Sequence, residues 1–490
     1  MRRIRSSPRR SSRSTTDGTR GKRWRRWDLA VEKPVWKIDF ILQSTGGVLA
    51  QRGATQSFAR IGTDSRCIQP NDFFVAIRGD VFDGHDFLKT VAAAGATGVL
   101  IDRPVSLPPD VTVVVVPDSR RALGQLAAAH RARFDLPVFA VAGSNGKTTA
   151  KELLAACLSR RTLTLRSAKS FNNDIGVPLT LLELRAEHGA AVLEAGTNHP
   201  GELAPLLRMI SPQFGVMTSL GAEHLEHFKD MAGVVAEEGA LAELLPSSGK
   251  LFLYGDSQWS SHLVERCSAE VIQVGSHDHN DWRLLDVTPG WEATRFRVEA
   301  PIHSMSGEYE IRLIGRHQAM NALLAIAAAA AIGVSRAEIE QGLIECQSAP
   351  MRMVQWSVRG VRVLDDAYNA NVDSMRAALE TLASLPVAGR RIAVLGEMAE
   401  QGGHTISAHQ EIGTAAAAAG CNVVVAVGSS ASHTRAAATA GGVRDAVEFA
   451  DTEEAGEWVL GQMREGDAVL LKASRAMRFE RITELLKANS

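Results

Sequence analysis

The chain has 490 residues, of which 45% are hydrophobic and 22% charged, and its formal net charge is −1. This composition is typical of a globular protein of about three domains and excludes a fibrous, disulfide-rich or wholly disordered chain. The longest apolar run, residues 322–334, is shorter than the roughly 18 residues that cross a bilayer, so no membrane span is predicted.

The first 34 residues differ sharply from the rest of the chain. They contain 12 Lys and Arg against three Asp and Glu, and they are too poor in apolar residues to form a core. We predict a disordered basic extension over residues 1–34. A transit peptide, a nucleic-acid-binding arm and a misassigned start remain alternatives. The remaining chain is acidic, which argues against nucleic acid as a partner. The five cysteines stand singly, as in proteins of a reducing cytoplasm.

Three α/β domains in series are predicted after the extension. Short apolar strands such as "DFFVAI" and "VTVVVV" indicate a small domain over residues 35–135. Continuously apolar strands separated by helices predict a mostly parallel sheet over residues 136–345, and the same pattern predicts a Rossmann-like domain over residues 346–490.

A shortened phosphate loop opens the middle domain. In the usual motif, G-x-x-x-x-G-K-[ST], the first glycine would stand at Val141, but here it stands at Gly143. The loop directly follows the strand "VFAVAG" and precedes a helix, where backbone N–H groups bind phosphate. It therefore predicts an ATP site that contains Gly143, Ser144, Asn145, Gly146, Lys147, Thr148 and Thr149. Lys147 would contact the phosphates, and the Thr148 hydroxyl would bind Mg²⁺.

Two further strand ends carry polar residues. Glu194 closes the strand in "AAVLEAGTNHPGEL", and His224 follows the strand in "FGVMTSLGAEHLEHF". Ligands of open α/β sheets bind at this edge, and a carboxylate suits Mg²⁺ better than an imidazole does. We predict catalytic or metal-binding roles for Lys147, Glu194 and His224.

Seven ordered motifs carry a family resemblance: "GSNGKTT", "SFNNDIGVPLTLLEL", "EAGTNHPGEL", "AEHLEHF", "GRHQAMNALLA", "DDAYNANVDSMRAAL" and "GEMAEQG". Together with "TDSRCIQPNDFFVAIRGDVFDGHDF" they resemble the Mur ligases, from about residue 35 to the end. The resemblance implies ATP and Mg²⁺ as cofactors, with UDP-N-acetylmuramoyl-tripeptide and D-alanyl-D-alanine as substrates. In that family ATP converts a carboxylate to an acyl phosphate, which an amine then attacks. We expect a cytoplasmic enzyme that acts as a monomer.

The resemblance also assigns residues to ligands. It implies ATP binding by His317, Asn321, Arg352 and Asp366, and substrate binding by Asp64, Ser65, Arg66, Asn172, Asn173, Tyr368, Asn369 and Asn371. Lys472, Ser474 and Arg475 resemble a C-terminal "K-x-S-R" element of the family.

One departure concerns a metal ligand. Many Mur ligases carry a carbamylated lysine in the helix after the His224 motif, and Glu238 stands at that position here, or Glu237 after a shift of one residue. We expect Glu238 to bind Mg²⁺ directly or through water. The alternative is a solvated acid on the helix surface.

Two other functions stay open at this stage. One is a different ligase of the same kind, which adds the third amino acid or extends folylpolyglutamate, although the "DNPR" element of diaminopimelate-adding ligases is absent. The other is a nucleotide-dependent binding protein, whose ATP hydrolysis polynucleotide would stimulate.

Overall fold

The computed structural model describes residues 35–79 and 81–489, and its three large sheets follow one another along the chain. The predicted fold class of three α/β domains is confirmed. The boundaries at residues 135 and 345 stay predictions, and the predicted basic extension over residues 1–34 lies outside the described residues. In the described part of the chain no helix has both the length and the hydropathy of a membrane span.

The N-terminal domain is built on a small, mostly parallel sheet. Its elements are β1 (Trp36–Lys37), α1 (Ile38–Thr45), β2 (Val48–Gln51), β3 (Ser57–Phe58), β4 (Arg60–Gly62), β5 (Asp72–Val75), α2 (Leu88–Ala93), β6 (Gly98–Ile101), β7 (Thr112–Val115) and α3 (Ser119–Arg131). The sheet order is β2-β7-β6-β5-β4, in which only β2 is antiparallel to its neighbour, and β1 pairs with β3 in a separate ribbon.

The middle domain holds the largest sheet. Its elements are β8 (Val138–Ala142), α4 (Lys147–Ser159), β9 (Thr164–Arg166), α5 (Gly176–Leu181), β10 (Ala190–Glu194), α6 (Leu203–Ile210), β11 (Phe214–Met217), α7 (Leu225–Phe228), α8 (Met231–Glu238), α9 (Ala240–Leu244), β12 (Lys250–Tyr254), α10 (Ser260–Arg266), β13 (Glu270–Gly275), β14 (Trp282–Pro289), β15 (Thr294–Glu299), β16 (Gly307–Ile311), α11 (Arg316–Ala331) and α12 (Arg336–Glu345). The sheet order is β16-β15-β14-β13-β12-β11-β8-β10-β9.

Strand direction divides this sheet into two parts. From β9 to β14 neighbouring strands are parallel, so the loops after β8, β10 and β11 leave at one edge. The predicted alternation of strand and helix ends at β13, because β14, β15 and β16 form an antiparallel extension. In β15 the side chains from Thr294 to Glu299 are alternately buried and exposed, the pattern of a strand with one solvated face.

The C-terminal domain has the predicted Rossmann-like arrangement. Its elements are β17 (Val354–Val358), β18 (Val361–Asp365), α13 (Val372–Ser384), β19 (Arg391–Leu395), α14 (Thr405–Ala418), β20 (Val423–Val427), α15 (Ala431–Ala440), β21 (Asp445–Phe449), α16 (Thr452–Gln462), β22 (Ala468–Lys472) and α17 (Glu480–Ala488). The sheet order is β17-β18-β22-β19-β20-β21, and β17 is antiparallel to an otherwise parallel sheet.

Helix α3 joins the first two domains. Its buried Leu123 and Leu126 belong to the same apolar cluster as residues of the middle sheet and of α6. His130 Nε2 lies 3.0 Å from the Leu184 carbonyl oxygen, and Arg131 donates to the carbonyls of Ile210 and Ser211 at 3.0 and 3.1 Å. We call this contact the α3 seam.

A tryptophan joins the middle and C-terminal domains. Trp291, in the turn between β14 and β15, is 8% exposed and belongs to the apolar cluster of α13. Its Nε1 donates to the Pro386 carbonyl at 2.9 Å, and the Arg362 guanidinium lies 4.9 Å from its ring. We call this contact the Trp291 anchor.

Candidate active site

The phosphate loop turns twice through backbone conformations that suit glycine. Gly143 has φ 113° and Gly146 has φ 88°, and a Cβ at either position would lie about 2.5 Å from Thr218 Oγ1 or 2.4 Å from Asn321 Oδ1. The first hydrogen bond of α4 runs from Ala150 N–H to the Gly146 carbonyl, so the preceding amides have no carbonyl acceptor within the helix. The loop is short because Val141 belongs to the buried strand β8.

Lys147 lies in a ring of carboxylates. Its Nζ donates to the carbonyls of Gly143 and Ser144 and lies 3.8 Å from Glu223 Oε1. Burial acts to lower the pKa of Lys147, but the charges of Glu223, Glu238 and Glu194 hold it above its ordinary value. The ammonium is therefore a fixed positive charge at the mouth of the loop.

Glu194 and Thr148 present adjacent oxygen atoms. The buried Glu194 carboxylate accepts from Thr148 Oγ1 and from Asn172 Nδ2, both at 3.0 Å. Thr148 Oγ1 also lies 3.3 Å from Ser170 Oγ. Two hard oxygen donors beside a phosphate loop fit Mg²⁺, which takes few protein ligands and completes its shell with phosphate and water. Among the described residues no cluster of three or more His, Cys, Asp or Glu forms a complete metal site.

Glu238 is a buried acid that faces the loop. Its Oε2 accepts from the Gly143 N–H at 2.7 Å, while the buried Oε1 has no hydrogen-bond partner. Burial raises the pKa of Glu238 to about 7. Glu237 instead accepts from the N–H groups of Gly201 and Leu203. The alternative of a solvated surface acid is thus wrong for Glu238, and its role toward Mg²⁺ stays a proposal.

The C-terminal domain touches the site through three polar contacts. His224 Nδ1 pairs with the Glu400 carboxylate, and Asn371 Nδ2 donates to Asn145 Oδ1 at 3.0 Å. Asp373 Oδ2 accepts from the Ala222 N–H at 3.1 Å. We call these three contacts the clasp. His224, with φ 51°, therefore faces the other domain as well as the carboxylate of Glu223, whose Oε2 is 4.0 Å from its Nε2.

A polar cavity of about 160 Å³ lies beside the clasp. It is lined by residues of both domains, among them Glu223, His224, Asn369, Asn371, Glu400 and Arg475. Because acidic and basic groups share its wall, it suits a small polar or charged group rather than an apolar one.

A second set of predicted residues forms the adjoining face of the C-terminal domain. The buried Lys472 Nζ lies 2.6 Å from Asp366 Oδ2 and donates to the Asn369 carbonyl at 3.1 Å. The Arg352 guanidinium stacks 4.0 Å from the Tyr368 ring centroid. Ser474 Oγ accepts from the Ala399 N–H and so fixes the segment before Glu400.

Residues of α11 complete the wall on the side of the middle domain. Asn321 donates to Gln318 Oε1 at 3.3 Å beside Gly146. Burial lowers the pKa of His317 to about 4, so its imidazole is neutral, 3.5 Å from Thr381 Oγ1. Thr149 lines a narrow cleft with Gln318 and Arg352.

Some predicted residues do not join this cluster. Asp64 and Arg66 form an exposed bidentate ion pair and, together with Ser65, make a short turn in which the Asp64 side chain also accepts from the Arg66 N–H. Arg66 lowers the pKa of Asp64 to about 2. Asn173 Oδ1 accepts from the N–H groups of Ile175 and Gly176 in the turn that leads into α5. In the structure Asn173 therefore stabilises the turn before α5.

Four further residues lie at the site although no role was predicted for them from the sequence: Lys151, Glu223, Asp373 and Glu400. Lys151 stands four residues after Lys147 on one face of α4, a spacing that would have pointed to it. Glu400 lies in the quoted motif "GEMAEQG". Asp373 lies in the quoted motif "DDAYNANVDSMRAAL", but its contact with the Ala222 N–H, 151 residues away, could not be predicted from the sequence.

Most of the chain matches Mur ligase family models and ligases from other bacteria. Residues 57–131 match the Mur ligase family, catalytic domain; residues 141–329 match the Mur ligase middle domain; and residues 351–475 match the Mur ligase, glutamate ligase domain. The UDP-N-acetylmuramoyl-tripeptide--D-alanyl-D-alanine ligase of Escherichia coli (strain K12) is 36% identical over 89% of this chain and 96% of its own length. The ligase of the same name from Bacillus subtilis (strain 168) is 31% identical over 91% and 96%.

Solved structures show the same fold. A crystal structure of MurF from Acinetobacter baumannii superposes with a TM-score of 0.84 at 30% identity, over 94% of this chain and all of that chain. MurF ligase from Thermotoga maritima, crystallised in complex with ADP, superposes with a TM-score of 0.76 at 24% identity, over 88% and 97%.

Proposed function

The chain belongs to the Mur ligase family, and we propose from that premise that it joins D-alanyl-D-alanine to UDP-N-acetylmuramoyl-tripeptide with ATP. The Escherichia coli and Bacillus subtilis relatives, both named as ligases of these two substrates, match this chain over about nine-tenths of its length. The reaction makes a precursor of peptidoglycan.

One observation carries the proposal. The ends of β8, β10 and β11 bring Lys147, Glu194 and His224 to one edge of the middle sheet, and the clasp adds residues of the C-terminal domain there. A site between two domains can hold a nucleotide on one side and an amine on the other. Simple ATP hydrolysis does not need this second side.

The first step transfers a phosphoryl group to a carboxylate. An oxygen of the tripeptide's terminal carboxylate attacks the γ-phosphorus of ATP, ADP leaves, and an acyl phosphate forms. Two anions must meet, so the Lys147 ammonium and the amides at the start of α4 hold the phosphate oxygens. Thr148 and Glu194, with Glu238 beside them, would hold Mg²⁺, which when bound would supply further positive charge at the phosphates.

The second step forms the amide bond. The amine of D-alanyl-D-alanine attacks the acyl carbon, phosphate leaves and the nitrogen loses a proton. We assign this step to the cavity beside the clasp, because its wall carries the acidic residues Glu223 and Glu400 as well as the basic residue Arg475. His317, Asn321, Arg352 and Asp366 would hold ATP, with Tyr368, Asn369 and Asn371 at the peptide. Asp64, Ser65 and Arg66 would hold the UDP group, and Asn172 would act through Glu194.

We further propose that the enzyme acts as a monomer in the cytoplasm. The substrates are nucleotide-linked and water-soluble, and cysteines that stand singly suit a reducing compartment.

The test measures phosphate release from ATP and Mg²⁺ with the purified full chain. We expect turnover only when UDP-N-acetylmuramoyl-tripeptide and D-alanyl-D-alanine are both present. The control replaces D-alanyl-D-alanine by single amino acids and UDP-tripeptide by the UDP-dipeptide. Turnover with the UDP-dipeptide plus a single amino acid would identify a third-residue-adding ligase instead, and stimulation by polynucleotide would refute a ligase altogether.

A further inference from the structure

Lys151 is a fully buried lysine on α4, one helical turn after Lys147. Its Nζ donates to the carbonyls of Ser167, at 2.8 Å, and Lys169. It also lies 3.0 Å from Glu152 Oε1 and 3.7 Å from Glu194 Oε2. A buried ammonium is costly unless it is paired and hydrogen-bonded, and this one is both.

The contact between the ammonium and Glu194 is too long for a hydrogen bond. Two of the three N–H groups of Lys151 go to the two carbonyls, and the Glu152 and Glu194 oxygens are ion-pair contacts. At 3.7 Å its effect on Glu194 is therefore that of a charge, while Thr148 and Asn172 provide the hydrogen bonds to that carboxylate.

The two carbonyls belong to the segment that supports Glu194. Ser167 Oγ accepts from the N–H of Glu194 at 3.1 Å, and Lys169 has a left-handed backbone, φ 49°. Such a conformation in a residue other than glycine persists only where surrounding contacts hold it. Lys151 thus joins three parts of the site: helix α4, the segment 167–169 and the end of β10.

We propose that Lys151 is a positioning residue for the reaction: its ammonium fixes segment 167–169 and balances the charge of Glu194, so that this carboxylate faces the nucleotide and Mg²⁺. The kinetic part of this inference rests on the proposed function, whereas the charge balance does not. Glu152 is also paired with Arg166 Nε at 3.1 Å, so Lys151 and Arg166 together neutralise Glu152 and offset the charge of Glu194.

The first experiment compares the thermal unfolding of Lys151→Met and wild-type protein, each measured with Mg²⁺ and without it. Nucleotide is left out of all samples. The variant keeps a long side chain but leaves Glu152 and Glu194 short of one cation. We expect a lower melting temperature, and a rise on adding Mg²⁺ that exceeds the wild-type rise by about 2 °C or more, since the ion replaces the lost charge. Lys250→Met, which removes a partly exposed ion pair with Glu270, is the control and should show the wild-type rise.

The second experiment uses Lys151→Met combined with Glu152→Gln, with Glu152→Gln alone as reference. Removing the second charge should bring the melting temperature back toward that of the reference and allow kinetics even if Lys151→Met alone does not fold. We expect kcat about 100-fold below the reference, as for a misplaced catalytic group, with an unchanged KM for the UDP-tripeptide.

Two results would overturn the inference: an equal Mg²⁺ rise in Lys151→Met and wild type, or a reference-like kcat in the double variant. Wild-type protein that is inactive with all substrates would instead refute the proposed function, and the Mg²⁺ comparison would still decide the charge role of Lys151.

Discussion

The middle domain contacts its two neighbours in different ways. At the α3 seam the domains share one apolar cluster, and the His130 and Arg131 side chains that cross it are buried. The clasp consists of hydrogen bonds and an ion pair at partly exposed atoms, such as those of Asp373 and Glu400. Water reaches the Asp373 and Glu400 carboxylates of the clasp, whereas the His130 and Arg131 residues of the seam are at most 5% exposed.

Only one of these two contacts can open during turnover at a low cost in free energy. Separating the seam would expose the apolar surface that the two domains share, at a cost in free energy that grows with the area exposed to water. The groups of the clasp can exchange their partners for water at little net cost. We therefore expect the seam to stay closed and the clasp to open for substrates.

The largest effect should come from the site that the clasp covers. Lys147→Ala removes the fixed positive charge at the phosphates and should lower kcat by at least about 100-fold, as the loss of a preorganised donor does. Phosphate release with all substrates measures this, and Lys250→Ala serves as control. A fully active Lys147→Ala enzyme would show that the chemistry lies elsewhere.

The next effect concerns the stability of the seam. Arg131→Met leaves the carbonyls of Ile210 and Ser211 without their charged donor and should lower the free energy of unfolding by about 3 kcal/mol. Urea unfolding measures this, with Arg121→Met, at an exposed position on the same helix, as control. Unchanged stability would mean that the seam is no firmer than the clasp.

A smaller effect is expected at the clasp itself. Asp373→Ala removes the acceptor of the Ala222 N–H and should lower kcat/KM about 10-fold while changing stability by less than about 0.5 kcal/mol. The exposed Glu380 of the same helix provides the control variant, Glu380→Ala. A loss of stability as large as that of Arg131→Met would contradict the distinction between the two contacts.

The smallest effect is a pH dependence of the seam. Burial lowers the pKa of His130 to about 4, so below about pH 6.5 the unfolded chain binds a proton that the folded protein excludes. Stability should be complete above this pH and fall as the pH drops toward 4, by about 1 kcal/mol between pH 7 and pH 5.5. Unfolding free energies of wild type and His130→Phe at several pH values measure the difference. Parallel curves for the two proteins would exclude His130 as the cause.

Much of the fold could be predicted because buried parallel strands can be recognised from their own short stretch of sequence. Strands such as β8 and β10 are short, apolar and followed by polar residues, and strand ends of this kind meet at one edge. The shortened loop was readable for the same reason, since Gly143 and Gly146 stand at the turns and Val141 inside the strand.

What could not be predicted depends on contacts between distant segments. Asn145 and Asn371 are 226 residues apart, and neither shows in its own surroundings that the other is its partner. For Lys151 the four-residue spacing from Lys147 is visible in the sequence, but its burial and its contacts with segment 167–169 are not. The antiparallel strands β14–β16 were missed because their alternating pattern is weaker than that of a buried parallel strand.

The Trp291 anchor bears on how far this enzyme is modular. Trp291 packs in the core of the C-terminal domain, although it lies 55 residues before the predicted start of that domain at residue 346. A fragment that begins at residue 346 would lack that ring, and one that ends at residue 345 would expose it to water. Chimaeras that exchange C-terminal domains between relatives should therefore fold better when the β14–β15 turn travels with the transplanted domain.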